Sequence, residues 1–476
     1  MKFTFKNLGK LDEAIIDLKD LNLVCGTNNT GKTYLLYAIY GFLDFWNESF
    51  EANLSKENKD QLFEESYLTI DLDQKYSLSN VSSVLNQAAQ EFAKVLHRYF
   101  ASSPNSFKRV EIQLDISEEE HIEWFGSFIN TWKDMKIEFS KKNSEKSKSI
   151  FLNKDSNNVL TLKIPDSLTP IEKQIVSEIV EKSIKERFFE SLLPKPFLSS
   201  CERTGIVNFL KELDFARSRL VDILGQSSEI KPHDILESFF VKHQKAYPKP
   251  ITDNVTFIRE LSTLKAIQTQ ENESTNFQTS LHYLEEIIDG TLEVDKNGTL
   301  YLKQGRLKLE MNQASSSVRA MVDLYFYVQF QAHKKNQFLM IDKPEMNLHP
   351  KNQRAMARFL ASLVNQGIKV MVSTHSDYLV RELNHLTALH KFKDQDSVKT
   401  YLASEDNPYS EEVLISNEKV GLYFTKATGK KVKLHQAPIS EYGTFTVASF
   451  DNEITAQQQA EFDILEAIHG CKGDED

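Results

Sequence analysis

The feature that most constrains the fold is a glycine-containing loop, GTNNTGKT, at positions 26–33. The apolar run LNLVC before it predicts a buried strand, and YLLYAIYGFLDFW after it predicts a buried helix. Strand, loop and helix in this order are the context that the phosphate-binding pattern GxxxxGK[ST] requires. Glycines let backbone N–H groups close around phosphate oxygens, and the helix N-terminus adds partial positive charge. The sequence therefore predicts a P-loop.

This loop has expected roles at a bound nucleotide. Lys32 would contact the β- and γ-phosphates, and the Thr33 hydroxyl would hold Mg²⁺. The cofactors that the loop implies are ATP and Mg²⁺. The residues expected at the nucleotide are Gly26, Asn28, Asn29, Thr30, Gly31, Lys32 and Thr33.

A carboxylate at the end of a second apolar strand is the expected metal partner of Thr33. The run FLMID predicts a buried strand that ends at Asp342. In a P-loop fold, an aspartate at this point holds Mg²⁺ beside the loop hydroxyl. A strand-end aspartate can also cap the turn that follows, so Asp342 alone leaves both interpretations open.

Hydrophobic periodicity indicates an α/β fold at the two ends of the chain. Helical patterns at 316–334 and 351–365 alternate with the apolar runs FLMID and KVMVST, which favours parallel pairing of these strands. TLEV and TLYL flank the turn sequence DKNG and predict a hairpin. The region between about 50 and 300 mixes helical patterns with short strands.

These patterns give the expected domain boundaries. Residues 1–50 and 301–400 form the two parts of the nucleotide-binding head, and residues 51–300 form an α+β and helical insertion. Within the insertion, residues 195–220 are expected to pack back on the head. Residues 401–476 are expected to form an α+β extension.

Composition excludes several classes of protein. The net charge of −11, from 57 basic and 68 acidic residues, excludes a strongly basic duplex-coating protein but not a local basic groove. The three cysteines lie far apart, so we expect neither a disulfide framework nor a zinc site. We find no apolar run of about 18 residues and no signal-peptide pattern. We therefore expect a cytoplasmic protein with no membrane partner.

Together these motifs resemble ABC/SMC-type ATPase heads, in particular the AAA-15/AAA-21 or OLD-like branch. The branch pattern is IDEPE, then LHP, then STHS; this chain has IDKPEMNLHP at 341–350 and STHS at 373–376. The resemblance covers residues 1–45, 195–220 and 300–385 at the level of motifs. It implies an α/β fold: an ABC-type P-loop head with a mixed sheet, interrupted by the insertion.

The resemblance implies roles for several residues. Asp342 is the Walker B aspartate, Asn347 lies in the D-loop, and His375 is the switch histidine that senses the γ-phosphate. Ser315–Ser317, including Ser316, match a degenerate signature segment that grips the γ-phosphate held by a second subunit, and plain helix N-capping is the alternative. Arg203, in SSCERTGI, either reaches phosphate or stabilises its loop, with a structural salt bridge as the alternative.

One departure from the branch pattern affects catalysis. The branch usually has glutamate directly after the Walker B aspartate, where it polarises the attacking water, but this chain has Lys343. An ammonium has no acceptor for a water proton. Lys343 is either native to a subunit that hydrolyses ATP poorly or a substitution that traps ATP, unless Glu345 or His375 positions the water instead. We expect ATP binding with slow or absent hydrolysis.

The resemblance extends to ATPase subunits of bacterial anti-phage defence systems such as Septu, retron–Septu and PARIS. It implies ATP-sandwiched homodimers or higher oligomers, including hexamers, that hold or control a separate HNH or Toprim-like nuclease or toxin. A phage trigger would then release the effector. The sequence shows no nuclease motif of its own in a suitable context.

Two other functions stay open at this stage. One is a DNA-repair or SMC-like motor, which would need a competent glutamate and long heptad arms, and we find no sustained heptads. The other is an OLD-like nuclease with a cryptic site at 398–476. DNA contact is a further possibility through two groups of basic residues, although a solvated surface is the simpler interpretation. These residues are Lys141, Lys142, Lys146, Lys148, Lys430, Lys431 and Lys433.

Overall fold

The computed structural model describes most of the chain as sixteen strands and fourteen α-helices. The described residues are 1–50, 54–139, 148–189, 192–210, 247–271, 277–404, 407–429 and 431–470. The strands are β1 (Lys2–Leu8), β2 (Leu11–Asp17), β3 (Leu21–Cys25), β4 (Tyr67–Asp71), β5 (Glu111–Asp115), β6 (Met135–Phe139), β7 (Lys148–Lys154), β8 (Val159–Lys163), β9 (Lys195–Ser199), β10 (Thr291–Val294), β11 (Leu300–Gln304), β12 (Leu307–Glu310), β13 (Gln337–Asp342), β14 (Lys369–Thr374), β15 (Val420–Thr428) and β16 (Lys431–Gln436). The helices are α1 (Lys32–Glu48), α2 (Lys56–Glu65), α3 (Leu72–Lys75), α4 (Leu78–Tyr99), α5 (Glu118–Thr131), α6 (Pro170–Phe189), α7 (Lys249–Glu271), α8 (Gln278–Ile288), α9 (Ser316–Arg319), α10 (Val322–Phe330), α11 (Pro350–Asn365), α12 (Asp377–Phe392), α13 (Asp396–Leu402) and α14 (Ala448–Gly470).

The first of two structural units is built around an antiparallel sheet. It comprises Met1–Thr4, Phe42–Lys94 and Glu111–Lys195. Its sheet has the order β4-β8-β7-β6, with alternating buried and exposed side chains on β4. Aromatic rings fill its core, and those of Tyr76 and Phe188 stack with their centroids 3.7 Å apart.

The second unit contains the P-loop and a mixed sheet. It comprises Phe5–Gly41, Val95–Val110 and Pro196–Asp476. Within the mixed sheet, the strands follow the order β1-β2-β16-β15-β3-β14-β13-β9. β13, β14, β3 and β15 pair in parallel, in that order, whereas β15 and β16 are antiparallel. The predicted parallel pairing of FLMID with KVMVST and the predicted hairpin of β10 and β11 are both confirmed.

Parallel pairing brings three loops to one edge of this sheet. Thr374 pairs with Cys25, and Asp342 pairs with Ser373, so β3, β14 and β13 end at nearly the same level. The side chains of β3 and β13 are all buried. The P-loop, the Asp342 loop and the His375 loop therefore emerge together, at the edge where an α/β sheet binds its ligands.

The prediction of one helix over 316–334 is wrong. The structure has a one-turn helix, α9, followed by α10, which ends at Phe330. At the break, the Ala320 carbonyl accepts a hydrogen bond from Arg203 Nε (2.9 Å), and the Leu324 amide donates to the Asp323 carboxylate (2.9 Å). Side chains have therefore replaced the helical bond between these two backbone groups.

No helix in the described part of the chain is long and apolar enough to cross a bilayer.

Candidate nucleotide-binding site

The P-loop connects β3 directly to α1 and needs glycine at two positions. Gly26 has φ +135° and Gly31 has φ +95°, both in the region that side chains rarely adopt. A Cβ added at Gly26 would lie 2.1 Å from Thr425 Oγ1, and one at Gly31 would lie 2.8 Å from Leu11 Cγ. The loop is therefore packed closely against two strands of its own sheet.

Thr425 on β15 supports the base of the P-loop. Its hydroxyl donates to Thr30 Oγ1 (2.7 Å), and Thr30 Oγ1 donates to the Thr27 carbonyl (2.9 Å). Thr30 is buried, whereas Asn28 and Asn29 are exposed at the tip. Thr425 was not among the residues predicted from the sequence, because nothing local in VGLYFT indicates that β15 lies next to β3.

The side chain of Lys32 is hydrogen-bonded to the backbone of the P-loop. Its ammonium donates to the carbonyls of Gly26 (3.0 Å) and Thr27 (2.7 Å). Burial, followed by the nearby charge of Lys343, lowers the pKa of Lys32 to about 8. The loop thus holds a buried cation beside its backbone amides, which suits a polyphosphate.

Thr33 and Asp342 form the candidate metal site. Thr33 Oγ1 lies 3.0 Å from Asp342 Oδ2, and the Ser373 hydroxyl donates to Asp342 Oδ1. Asp342 is fully buried. A hydroxyl and a carboxylate at hydrogen-bonding distance are hard oxygen ligands of the kind that Mg²⁺ prefers, so these residues fit the ion. Ser373 orients the carboxylate and was not among the residues predicted from sequence.

Lys343 follows Asp342 in a left-handed backbone conformation, with φ +55°. Its amide donates to the Ser373 carbonyl (3.0 Å), and its carbonyl accepts from Arg203 (2.7 Å), so both ends of the residue are fixed in place. The side chain is half-buried, and its charge adds to the effect of burial in lowering the pKa values of Lys32 and His375. The position therefore carries a cation that acts on the nucleotide site.

Glu345 is held by the end of β14. Its Oε2 accepts from the Thr374 hydroxyl (2.8 Å), and its Oε1 accepts from the His375 amide (2.7 Å). Burial raises the pKa of Glu345, although these hydrogen bonds oppose the change. With one oxygen bonded to the last residue of β14 and the other to the His375 amide, the carboxylate fixes the His375 backbone in position.

His375 directly follows β14, the strand that pairs in parallel with the P-loop strand β3. Burial lowers its pKa, and the charges of Lys32 and Lys343 lower it further. These effects favour the neutral imidazole, which can donate a hydrogen bond through one ring nitrogen and accept one through the other.

A glutamine on α11 holds residues 347–349, the segment that the family resemblance identifies as the D-loop. Gln353 donates to the Leu348 carbonyl (2.9 Å) and accepts from the Ser376 hydroxyl (2.6 Å). Gln353 therefore links the D-loop to the segment that follows His375. Asn347 is exposed, has φ 64°, and donates to Thr204 Oγ1 over 3.5 Å.

Arg203 contacts backbone carbonyls, which supports the loop-stabilising alternative. It is 1% exposed and donates four hydrogen bonds, to the carbonyls of Ser200, Ala320, Asp342 and Lys343, at 2.7–2.9 Å. These four bonds use four of the five N–H donors of the guanidinium.

The serine segment lies at the surface. Ser315 is the N-cap of α9 and accepts from the Val318 amide (3.3 Å). Its hydroxyl also lies 2.7 Å from that of Ser317. Ser315 and Ser316 are exposed, and Ser317 is half-buried. The N-capping role is therefore present, and Ser316 lies at the surface.

The basic residues considered for DNA contact are partly paired. Lys148 contacts Glu172, and Lys431 and Lys433 contact Asp12 and Glu13, each at 3.1 Å. The remaining members of the two groups, Lys141, Lys142, Lys146 and Lys430, lie outside the described residues.

Among solved structures, the chain matches heads of SMC proteins. The SMC head with an extended coiled coil from Pyrococcus furiosus, bound to the C-terminal domain of ScpA, is 11% identical, with a TM-score of 0.34 and coverage of 96% of this chain and 98% of that chain. The SMC head bound to the C-winged helix domain of ScpA is 10% identical, with a TM-score of 0.35 and coverage of 92% and 98%. The SMC head from Thermotoga maritima is 10% identical, with a TM-score of 0.31 and coverage of 92% and 98%.

A sequence family covers most of the chain. A family model described as AAA_15, AAA ATPase domain, matches residues 1–380. No curated protein matches the chain. The P-loop, Asp342 and His375 all lie within the residues that the family model matches. The chain belongs to this AAA ATPase domain family.

Proposed function

We propose that this chain is the ATP-binding subunit of a bacterial anti-phage defence system. ATP-sandwiched dimers or larger oligomers of the chain scaffold and control a separate nuclease or toxin. The observation that carries the proposal is Lys343, a cation whose charge acts on Lys32 at the place where the family resemblance expects a water-activating carboxylate. A subunit that keeps ATP intact is suited to a stable scaffold.

The local chemistry supports nucleotide retention over turnover. The P-loop amides and Lys32 bind phosphates, and Thr33 with Asp342 holds Mg²⁺. Lys343 adds positive charge to the same site and offers no acceptor to a water proton. Both carboxylate oxygens of Glu345 already accept hydrogen bonds, from the Thr374 hydroxyl and the His375 amide. Glu345 is therefore poorly placed to act as the base for the attacking water.

The surface serines supply the proposed contact between subunits. In the sandwich, the hydroxyls of Ser315–Ser317 from one head and Asn347 from its D-loop face the nucleotide bound to the other head. Ser315, Ser316 and Asn347 are exposed, as this arrangement requires.

Replacing Lys343 with glutamate tests the catalytic part of the proposal. Lys343→Glu restores an acceptor and removes a like charge, so we expect steady-state ATP turnover to rise by about 10²-fold or more, the usual contribution of a general base. Lys351→Glu, a charge reversal at an exposed residue, is the matched control and should leave turnover unchanged. Equal rates for Lys343→Glu and the unmodified chain would show that the role assigned to position 343 is wrong.

Copurification tests the effector part of the proposal. A tagged chain would be expressed with candidate HNH and Toprim-like nucleases in turn, with Lys32→Ala as the control that cannot hold nucleotide. We expect an ATP-dependent complex with one nuclease and suppression of its activity until a phage protein or altered DNA is added. A chain that instead turns over ATP rapidly on DNA, without a stable partner, would favour the DNA-repair or SMC-like motor.

A further inference from the structure

We infer that Arg203 is a positioning residue that couples the serine segment to the Lys343 loop. This inference deepens the proposed function and rests on it. Arg203 lies between two parts of the site that are far apart in sequence. It donates through Nε to the Ala320 carbonyl and through its two terminal nitrogens to the carbonyls of Asp342 and Lys343.

The serine side of this link is short. Ala320 directly follows α9, and its amide bonds to the Ser316 carbonyl (3.0 Å), while the Arg319 amide bonds to the Ser315 carbonyl (3.1 Å). A displacement of the serines therefore moves Ala320 with them. In a continuous helix, the Ala320 carbonyl would accept from the Leu324 amide, but here it accepts from Arg203 Nε. The break after α9 therefore connects this helix to Arg203.

The Lys343 side of the link holds a strained peptide. A left-handed conformation is unfavourable for a residue that has a side chain. Lys343 keeps φ +55° with its carbonyl bonded to Arg203 over 2.7 Å. Loss of that bond would let the peptide relax and move the ammonium, so Arg203 sets where the Lys343 charge points.

Arginine is specific for this task. A guanidinium spreads its N–H groups in a planar fork, whereas the ammonium of lysine is a compact point charge. Asp323, on α10, is buried, and burial raises its pKa while the charge of Arg203 opposes the rise. Arg203→Lys therefore keeps a cation near Asp323 but cannot span Ala320 and the Asp342–Lys343 peptide together.

A double-mutant cycle on nucleotide release tests the inference. The cycle compares Arg203→Lys, Lys343→Ala and the double variant by the dissociation rate of a fluorescent ATP analogue. We expect each single change to speed release about tenfold, the effect of losing one hydrogen bond to a charged group. If Arg203 acts through Lys343, the double variant is also about tenfold faster. A double variant about a hundredfold faster, with additive effects, would overturn the inference.

Controls separate positioning from simple destabilisation. Arg358→Lys alters another arginine, which pairs with the buried Glu382. It should lower thermal stability, and its effect on the release rate should add to that of Lys343→Ala.

If Arg203→Lys does not fold, hydrogen exchange in a chain that keeps Arg203 gives the second measurement. Arg319→Pro, which removes the amide that bonds to the Ser315 carbonyl and so distorts α9, should then speed exchange at residues 342–345, and unchanged exchange would overturn the inference. The cycle is measured on nucleotide release, so failure of ATP-driven assembly would contradict the proposed function without deciding the role of Arg203.

Discussion

A buried carboxylate behind the site should make stability depend on pH. Glu382 on α12 is 1% exposed, and its two oxygens lie 2.7 Å from Nε of Arg354 and Nε of Arg358 on α11. α11 follows the D-loop, and α12 follows His375. The network therefore ties together the helices that support two loops of the nucleotide site.

The size of this effect follows from the pKa of Glu382. Burial alone would raise this pKa, but the nearby His385 and the hydrogen bonds from Arg354 and Arg358 lower it from 4.5 to about 2. The difference corresponds to about 3 kcal/mol of stabilisation at neutral pH. Because the folded-state pKa is depressed, the stabilisation is complete well above pH 4.5 and is lost as pH falls toward 2. About 2 kcal/mol of it should be gone at about pH 3.

Urea unfolding of Glu382→Gln across this pH range is the test. The amide leaves two arginines without a carboxylate, so we expect the free energy of unfolding at neutral pH to fall by about 3 kcal/mol. The gap between the variant and the unmodified chain should narrow as the solution is acidified to about pH 3. Glu293→Gln removes a partly exposed partner of Lys303 and should cost less than about 1 kcal/mol. A gap for Glu382→Gln that stays constant over the whole range would refute the reasoning.

Three further predictions concern the nucleotide site. Gly26→Ala should abolish ATP binding measured by calorimetry, because its Cβ would lie 2.1 Å from Thr425 Oγ1; retained affinity would contradict the close packing. Affinity for ATP should weaken above about pH 8, because the lowered pKa of Lys32 makes it lose its charge there. An affinity that stays constant well into the alkaline range would contradict that pKa. Changing Ser315–Ser317 to alanine should weaken ATP-dependent assembly in sedimentation more than ATP binding, and unchanged assembly would sink the sandwich arrangement.

The local parts of the fold could be predicted from the sequence. The P-loop, its strand and its helix lie in one continuous segment, so residue order alone places them. The pairing of β13 with β14 also follows, because two apolar runs separated by an amphipathic helix favour parallel neighbours.

Contacts between distant segments could not be predicted in this way. β15 joins β3 although nearly the whole chain separates them, and neither strand carries a pattern that identifies its neighbour. The break between α9 and α10 has the same origin, since the competing donor at Ala320 is Arg203, which lies far earlier in the chain. The helical periodicity of residues 316–334 contains no information about a donor from so distant a segment.

Measuring the mass of the purified chain with Mg²⁺ and ATP, while following the nucleotide in the same sample, tests whether ATP holds the subunits together without being hydrolysed. We expect a stable dimer or larger assembly that contains intact ATP, and a monomer for Lys32→Ala. Rapid conversion of ATP to ADP with only a transient assembly would contradict this expectation, because Lys343 would then not prevent turnover.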